Sequence, residues 1–327
     1  MHMHVEKKKI GNNAYNYLKV SVRANSRVIS KTVAYLGKEP MSKAEIKARI
    51  AKIPESRIEK IKKEAKEKAE DINKEFLSKK QIKQLEELKR DFSRKLRDLD
   101  KNLIEDMFRD FKTFYIYNTN SIEGNTLSLQ ETNLLLNENK TPPGKDLKDI
   151  YDHINERETF DFMLENKPEI NRDLIIKTHS MLMKNIDKRT GSFRQHNVRV
   201  FGAEFETSPA KFVETDMNLL LKWYKKSKKR LHPLVLAALF HEKFERIHPF
   251  YDGNGRAGRM IANLILIRRG FPPLIIENNK RLKYYEALSE GHKAGLEGIE
   301  TELYKPIVKF FYNEMVYTFK RIFSGWG

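Results

Sequence analysis

The stretch of residues 234–270 constrains the fold of this chain more than any other. Residues 234–247 (LVLAALFHEKFERI) are apolar around most of the helix circumference, the pattern of a helix buried on all sides. His248-Pro249 ends it, because Pro249 supplies no N–H and pushes the residue before it out of the helical conformation. Asp252-Gly253-Asn254-Gly255 is a tight turn, and residues 260–267 form a second buried helix closed by Gly270. Two buried helices joined by so short a turn commit the chain to a mainly α-helical core. They also place the turn at a helix N-terminus.

That arrangement suits polyphosphate. Glycines let the backbone approach an anion closely, successive amides can point at its oxygens, and the helix dipole adds partial positive charge. Arg256 and Arg259 fall in the first turns, within reach of distal phosphates. Asp252 can hold Mg²⁺, which binds one or two carboxylates together with substrate phosphates. His248, at the edge of the loop, is placed to take a proton from an attacking hydroxyl. Each part alone has a plainer reading: a structural histidine, an ordinary turn, a solvated pair of arginines. The joint pattern is far more specific.

The run from His248 to Arg259, HPFYDGNGRAGR, resembles the motif of Fic proteins, HPFx(D/E)GNGRxxR, at every specified position, and the resemblance extends over roughly residues 110–320. It implies a helical domain in which ATP with Mg²⁺ (or Mn²⁺) sits on the loop. His248 then deprotonates a Ser, Thr or Tyr hydroxyl of a target protein, which attacks the α-phosphate and retains AMP. Asp252 is the implied metal ligand. Gly253, Asn254 and Gly255 are implied to stabilise phosphate charge, and Arg256 and Arg259 to hold the distal phosphates. A β-hairpin flap that docks the target is expected at Val198, Arg199, Val200 and Phe201, in the one extended stretch of the domain. Tyr284 and Tyr285 fall where such proteins line the adenine pocket, and the pair reads equally well as core. Upstream, Thr119-Asn-Ser-Ile-Glu123-Gly124 is similar to the inhibitory-helix pattern of the family, (S/T)xxxE(G/N), which implies that Glu123 pairs with Arg259 and blocks productive ATP binding. Removal of AMP, transfer of UMP or phosphocholine, and self-modification are further activities the resemblance admits.

The rest of the chain carries less. Residues 1–40 alternate as a small β-rich segment, with a hairpin turn over 23–26, and the opening Met-His-Met-His is given no role. Residues 41–109 read as a Lys-rich helical arm. It starts at a Ser42–Glu45 capping box and carries a stripe of Leu85, Leu88, Phe92, Leu96, Leu99 and Leu103 along one long helix. That stripe suits either a seam between two copies, giving a homodimer, or packing against the catalytic domain. Residues 110–320 are the catalytic domain and 321–327 a C-terminal tail. The 327 residues carry a net charge of +18, which fits attraction to nucleic acid, anionic lipid or an acidic protein, or simply solvated lysine-rich faces. There are no cysteines, so disulfides and thiol nucleophiles are excluded, and a cytoplasmic protein with no membrane partner is expected.

Overall fold

A computed structural model describes residues 2–24, 27–70, 72–199 and 206–326. The chain divides into two compact units, Met1–Glu75 and Phe76–Gly327. Among the described residues no helix is long and apolar enough to cross a membrane.

In the first unit, β1 (His2–Ile10), β2 (Asn13–Ala24) and β3 (Arg27–Lys38) form an antiparallel sheet in that order. The Met-His-Met-His start is not an idle terminus: His2 and His4 pair with Ser21 and Lys19 in the β1–β2 ladder. The expected hairpin turn over 23–26 falls partly outside the described residues, since positions 25 and 26 link β2 to β3. Helix α1 (Lys43–Ala51) opens on the expected capping box, with Glu45 N–H donating to Ser42 Oγ and Ser42 N–H to the Glu45 carboxylate. Leu18, Val20, Val33 and Leu36 on one face of the sheet pack against Ile46 and Ile50 of α1, Ile53, and Ile58 and Ile61 of α2 (Glu55–Glu70). A short α3 (Ile72–Phe76) spans the division between the units.

Among its described residues, the second unit's regular structure is all helical. The segment read as one arm is split here, for α4 (Lys79–Asp98) belongs to this unit. Its long leucine stripe is also broken. Asp100 leaves the helical conformation, accepts a hydrogen bond from Leu103 N–H at 3.0 Å, and starts α5 (Lys101–Ile122). Leu85 and Phe92 are buried, whereas Leu96 and Leu103 stay more than a third exposed. The stretch read as a tail sends Ile322 and Phe323 into the core: Phe323 is fully buried, with ring centroids 5.1 Å from Phe92 and 5.5 Å from Phe111. The Lys95 ammonium caps this end of the chain by donating to the Trp326 carbonyl.

After α5 come α6 (Leu129–Glu138), α7 (Leu147–Asn166), α8 (Arg172–Leu182), α9 (Val213–Ser227), α10 (Pro233–Ile247), α11 (Asn254–Ile267), α12 (Arg281–His292) and α13 (Thr301–Thr318). Helix α10 is the axis of the core. Every residue from Leu234 to Ile247 except Arg246 is buried. Its polar side chains are therefore obliged to find partners inside. Lys243 Nζ donates to the carbonyls of Gly295, Leu296 and Gly298 and to the Tyr304 hydroxyl, at 2.7–3.1 Å. Glu242 meets His292 at 2.8 Å, and His241 meets the Tyr284 hydroxyl at 2.6 Å. Gly258 lets α11 lie close against α10, for a Cβ there would sit 2.6 Å from Glu245 Oε1.

Candidate active site

The loop between α10 and α11 is built from its own side chains. His248 caps α10 in the left-handed region (φ 53°), with its N–H donating to Phe244 O at 2.9 Å. Asn254 folds back on Phe250, accepting from its N–H at 2.9 Å and donating to its carbonyl at 3.0 Å. Its side chain is thus spent on closing the loop, which leaves only its backbone to meet phosphate. Gly253 has φ 73° and no room for a side chain, since a Cβ would meet Met183 Sδ at 2.7 Å. Asp252 is exposed, and its Oδ1 accepts from Gly253 N–H at 2.7 Å. One solvent-facing carboxylate at the mouth of an anion loop fits a Mg²⁺ held mainly by substrate phosphates.

Two arginines leave the first turns of α11 in different directions. Arg256 is buried and pairs with Asp152 of α7, also buried, and its Nη2 lies 3.2 Å from Met183 Sδ. That pair ties α11 to α7. Arg259 turns the other way. Its Nε donates to Thr119 Oγ1 at 2.7 Å, and its Nη2 donates to Thr119 O at 2.9 Å and Glu123 Oε1 at 2.7 Å. Glu123 caps α5, and Gly124, with φ 90°, turns the chain away at once. The carboxylate lies directly over the start of α11: a Cβ on Gly255 would collide with Glu123 Oε1.

Burial depresses His248 to about 4, against the weaker opposing pull of the Glu245 carbonyl, so its imidazole is neutral near pH 7. Nδ1 is 3.3 Å from that carbonyl. The tautomer that donates there leaves Nε2 with a free lone pair. The expected flap residues Val200 and Phe201 lie outside the described residues. Val198 and Arg199 are in irregular chain, and Val198 O accepts from Thr207 Oγ1 at 3.3 Å. Of the aromatic pair, Tyr284 is buried on His241 and belongs to the core, while Tyr285 is 44% exposed with its ring 5.3 Å from Tyr284.

Residues 169–266 match the sequence profile of the Fic/DOC family. They form a Fic/DOC domain. The chain is 31% identical over 201 residues to "Protein adenylyltransferase Fic" of Nematostella vectensis, covering 60% of this chain and 45% of that protein. It is 31% identical over 210 residues to "Protein adenylyltransferase fic-1" of Caenorhabditis elegans, covering 62% of this chain and 40% of that protein. The chain thus spans less than half the length of these curated relatives. A Fic domain containing signaling protein from Bacteroides thetaiotaomicron superposes with a TM-score of 0.66 at 26% identity, covering 73% of this chain and 95% of that one.

Two residues of the Fic domain escaped the sequence reading. His179 of α8 lies flat on Phe250 (centroids 3.7 Å apart, planes 4° apart), and its Nε2 is 3.0 Å from Asp252 O. Arg194 is buried, and its Nε donates to His248 O at 2.7 Å while its other nitrogens reach the carbonyls of His196 and Ser208. It fastens both ends of the 196–208 stretch to the backbone of His248. Neither residue has a sequence signal beyond its type, because its partners are brought close only by folding.

Proposed function

We propose that this chain transfers AMP from ATP to a hydroxyl of a target protein and that Glu123 restrains the reaction. The observation that carries this reading is the Glu123 carboxylate lying over the N-terminus of α11 and bonded to Arg259, beside His248. A helix terminus, an arginine and an intramolecular carboxylate together describe an anion site whose own chain supplies a competing anion.

In the reaction, His248 Nε2 takes the proton of the target hydroxyl. The oxygen attacks the α-phosphorus, the bond to the bridging oxygen of the β-phosphate breaks, and pyrophosphate leaves. The backbone amides at the start of α11 and the Arg259 guanidinium, once released from Glu123, stabilise the phosphate charge. Mg²⁺ on Asp252 would neutralise charge on the phosphates. Tyr285 offers an aromatic wall near the pocket, and residues 198–201 would present backbone to the target. The wider partner set follows the same reading: the protein itself as a first target, and a further protein as the physiological one.

The test offers α-labelled and γ-labelled ATP separately to the wild type and to Glu123→Gly. Retention of α-label alone supports AMP transfer. Retention of γ-label alone would show a kinase-like reaction and overturn it.

A further inference from the structure

The proposed reaction uses no residue of the first unit, and the sheet there has an uncovered face. Leu18, Val20, Val33 and Leu36 point to the isoleucines of α1 and α2. Strand β2 alternates accordingly: Asn16, Leu18 and Val20 are buried, while Tyr15, Tyr17 and Lys19 stand on the opposite face, partly exposed. The register aligns their neighbours into rows across all three strands. Lys8, Tyr15 and Lys38 form one row; Glu6, Tyr17 and Tyr35 form the next; His4, Lys19 and Thr32 form a third.

The chemistry of these rows is uneven. Tyr35 is 54% exposed, and its ring centroid lies 5.4 Å from that of Tyr17 and 6.2 Å from that of Tyr15. Three rings therefore make one continuous aromatic strip. Glu6 is the acidic member of the rows, and Lys19 neutralises it at 2.7 Å. Lys8 and Lys38 flank the strip, are exposed, and have no carboxylate within ion-pair distance among the described residues. Cross-strand aromatic pairs can serve sheet stability alone. Stability, however, does not call for unpaired lysines on both sides of the rings.

We propose that this face binds single-stranded nucleic acid, with bases stacking on Tyr15, Tyr17 and Tyr35 and phosphates meeting Lys8 and Lys38. An aromatic strip on an open sheet offers unpaired bases a stacking surface of the right polarity, and flanking ammonium groups follow the backbone. Stacking reads little sequence, and bases already stacked within a duplex cannot use it.

The test uses the full chain and fluorescence anisotropy with labelled oligothymidylate and oligouridylate of roughly 12 nucleotides, beside a duplex of the same length. Either single strand should bind, and the duplex should bind far more weakly. Tyr17→Leu with Tyr35→Leu should weaken binding by about tenfold or more per ring, whereas Tyr17→Phe with Tyr35→Phe should retain it. Lys8→Gln with Lys38→Gln should lower the slope of log affinity against log salt by about 1.4. Circular dichroism checks the sheet in each variant. Should the leucine pair fail to fold, the phenylalanine and glutamine pairs still decide the matter. No saturable binding at low salt, a duplex bound as tightly as the single strands, or an unchanged salt slope would overturn the proposal. So would recovery of a protein, in place of nucleic acid, on the tyrosine face.

Discussion

Glu123 and Arg259 lie 136 positions apart, and the proposed restraint rests on the 2.7 Å contact between them. Removing the carboxylate would not leave the guanidinium adrift, because Thr119 still holds it through a hydroxyl and a carbonyl. An aimed guanidinium meeting phosphate is a charge-assisted contact of about 1.5–3 kcal/mol, which corresponds to roughly ten- to hundredfold in productive binding. Glu123→Gly should therefore raise self-labelling from α-labelled ATP by that order. Arg259→Ala in the same background should cancel the gain. His248 supports a second expectation. Its depressed value of about 4 keeps the imidazole unprotonated, and competent as a base, at all pH values above that. The rate of Glu123→Gly should be flat from about pH 6 to about pH 8 with respect to this group. A fall with an apparent midpoint near 6.5, the ordinary histidine value, would show that His248 is not desolvated.

At the level of elements, adjacent segments hold the loop between α10 and α11 by its backbone. Arg194, a buried guanidinium bonded to the carbonyl of His248, ties that residue to His196 and Ser208. Arg194→Ala in the Glu123→Gly background should lower the transfer rate more than about tenfold, since a hydrogen bond to a charged group is worth about 1.5–3 kcal/mol. ATP affinity by calorimetry should change little. An equal loss of ATP binding would place Arg194 in the nucleotide site instead. The same comparison explains what the sequence disclosed. The buried helices α10 and α11, the turn between them and the Glu123 helix end were legible, because each depends on local signals such as apolar runs, Pro249, Gly253 and Gly124. The directions of Arg256 and Asn254 were not. Arg256 found Asp152 on α7, and Asn254 found Phe250, and residue type alone does not distinguish these partners from a phosphate. Tyr284 posed the same problem, settled as core by His241.

Across the whole molecule, the ends of the second unit meet each other. Phe92 of α4 and Phe323 of the last turn are far apart in sequence, yet their rings are 5.1 Å apart and both are buried among Phe108 and Phe111. Lys95 reaches the Trp326 carbonyl beside them. The leucine stripe on residues 85–103 carried no sign of this, because an apolar face is compatible with a second copy of the chain or with its own core. The Lys-rich flanks did not discriminate either. If the C-terminal turn is core, Phe323→Ala should cost about 3–5 kcal/mol, as large aromatic truncations in packed interiors do. For a unit of this size that lowers the melting temperature by roughly 6–20 °C. Removing residues 324–327 alone should cost less, on the order of 1.5–3 kcal/mol, because it strips the acceptors from a buried ammonium and leaves the ring in place. The readout for Phe323→Ala is tryptophan fluorescence on heating, since both tryptophans, Trp223 and Trp326, belong to the second unit and the first has none. The truncation, which removes Trp326, is followed through Trp223. A variant that melts with the wild type would return residues 321–327 to the status of a solvated tail. It would also reopen the face of α4 as a seam for a second copy.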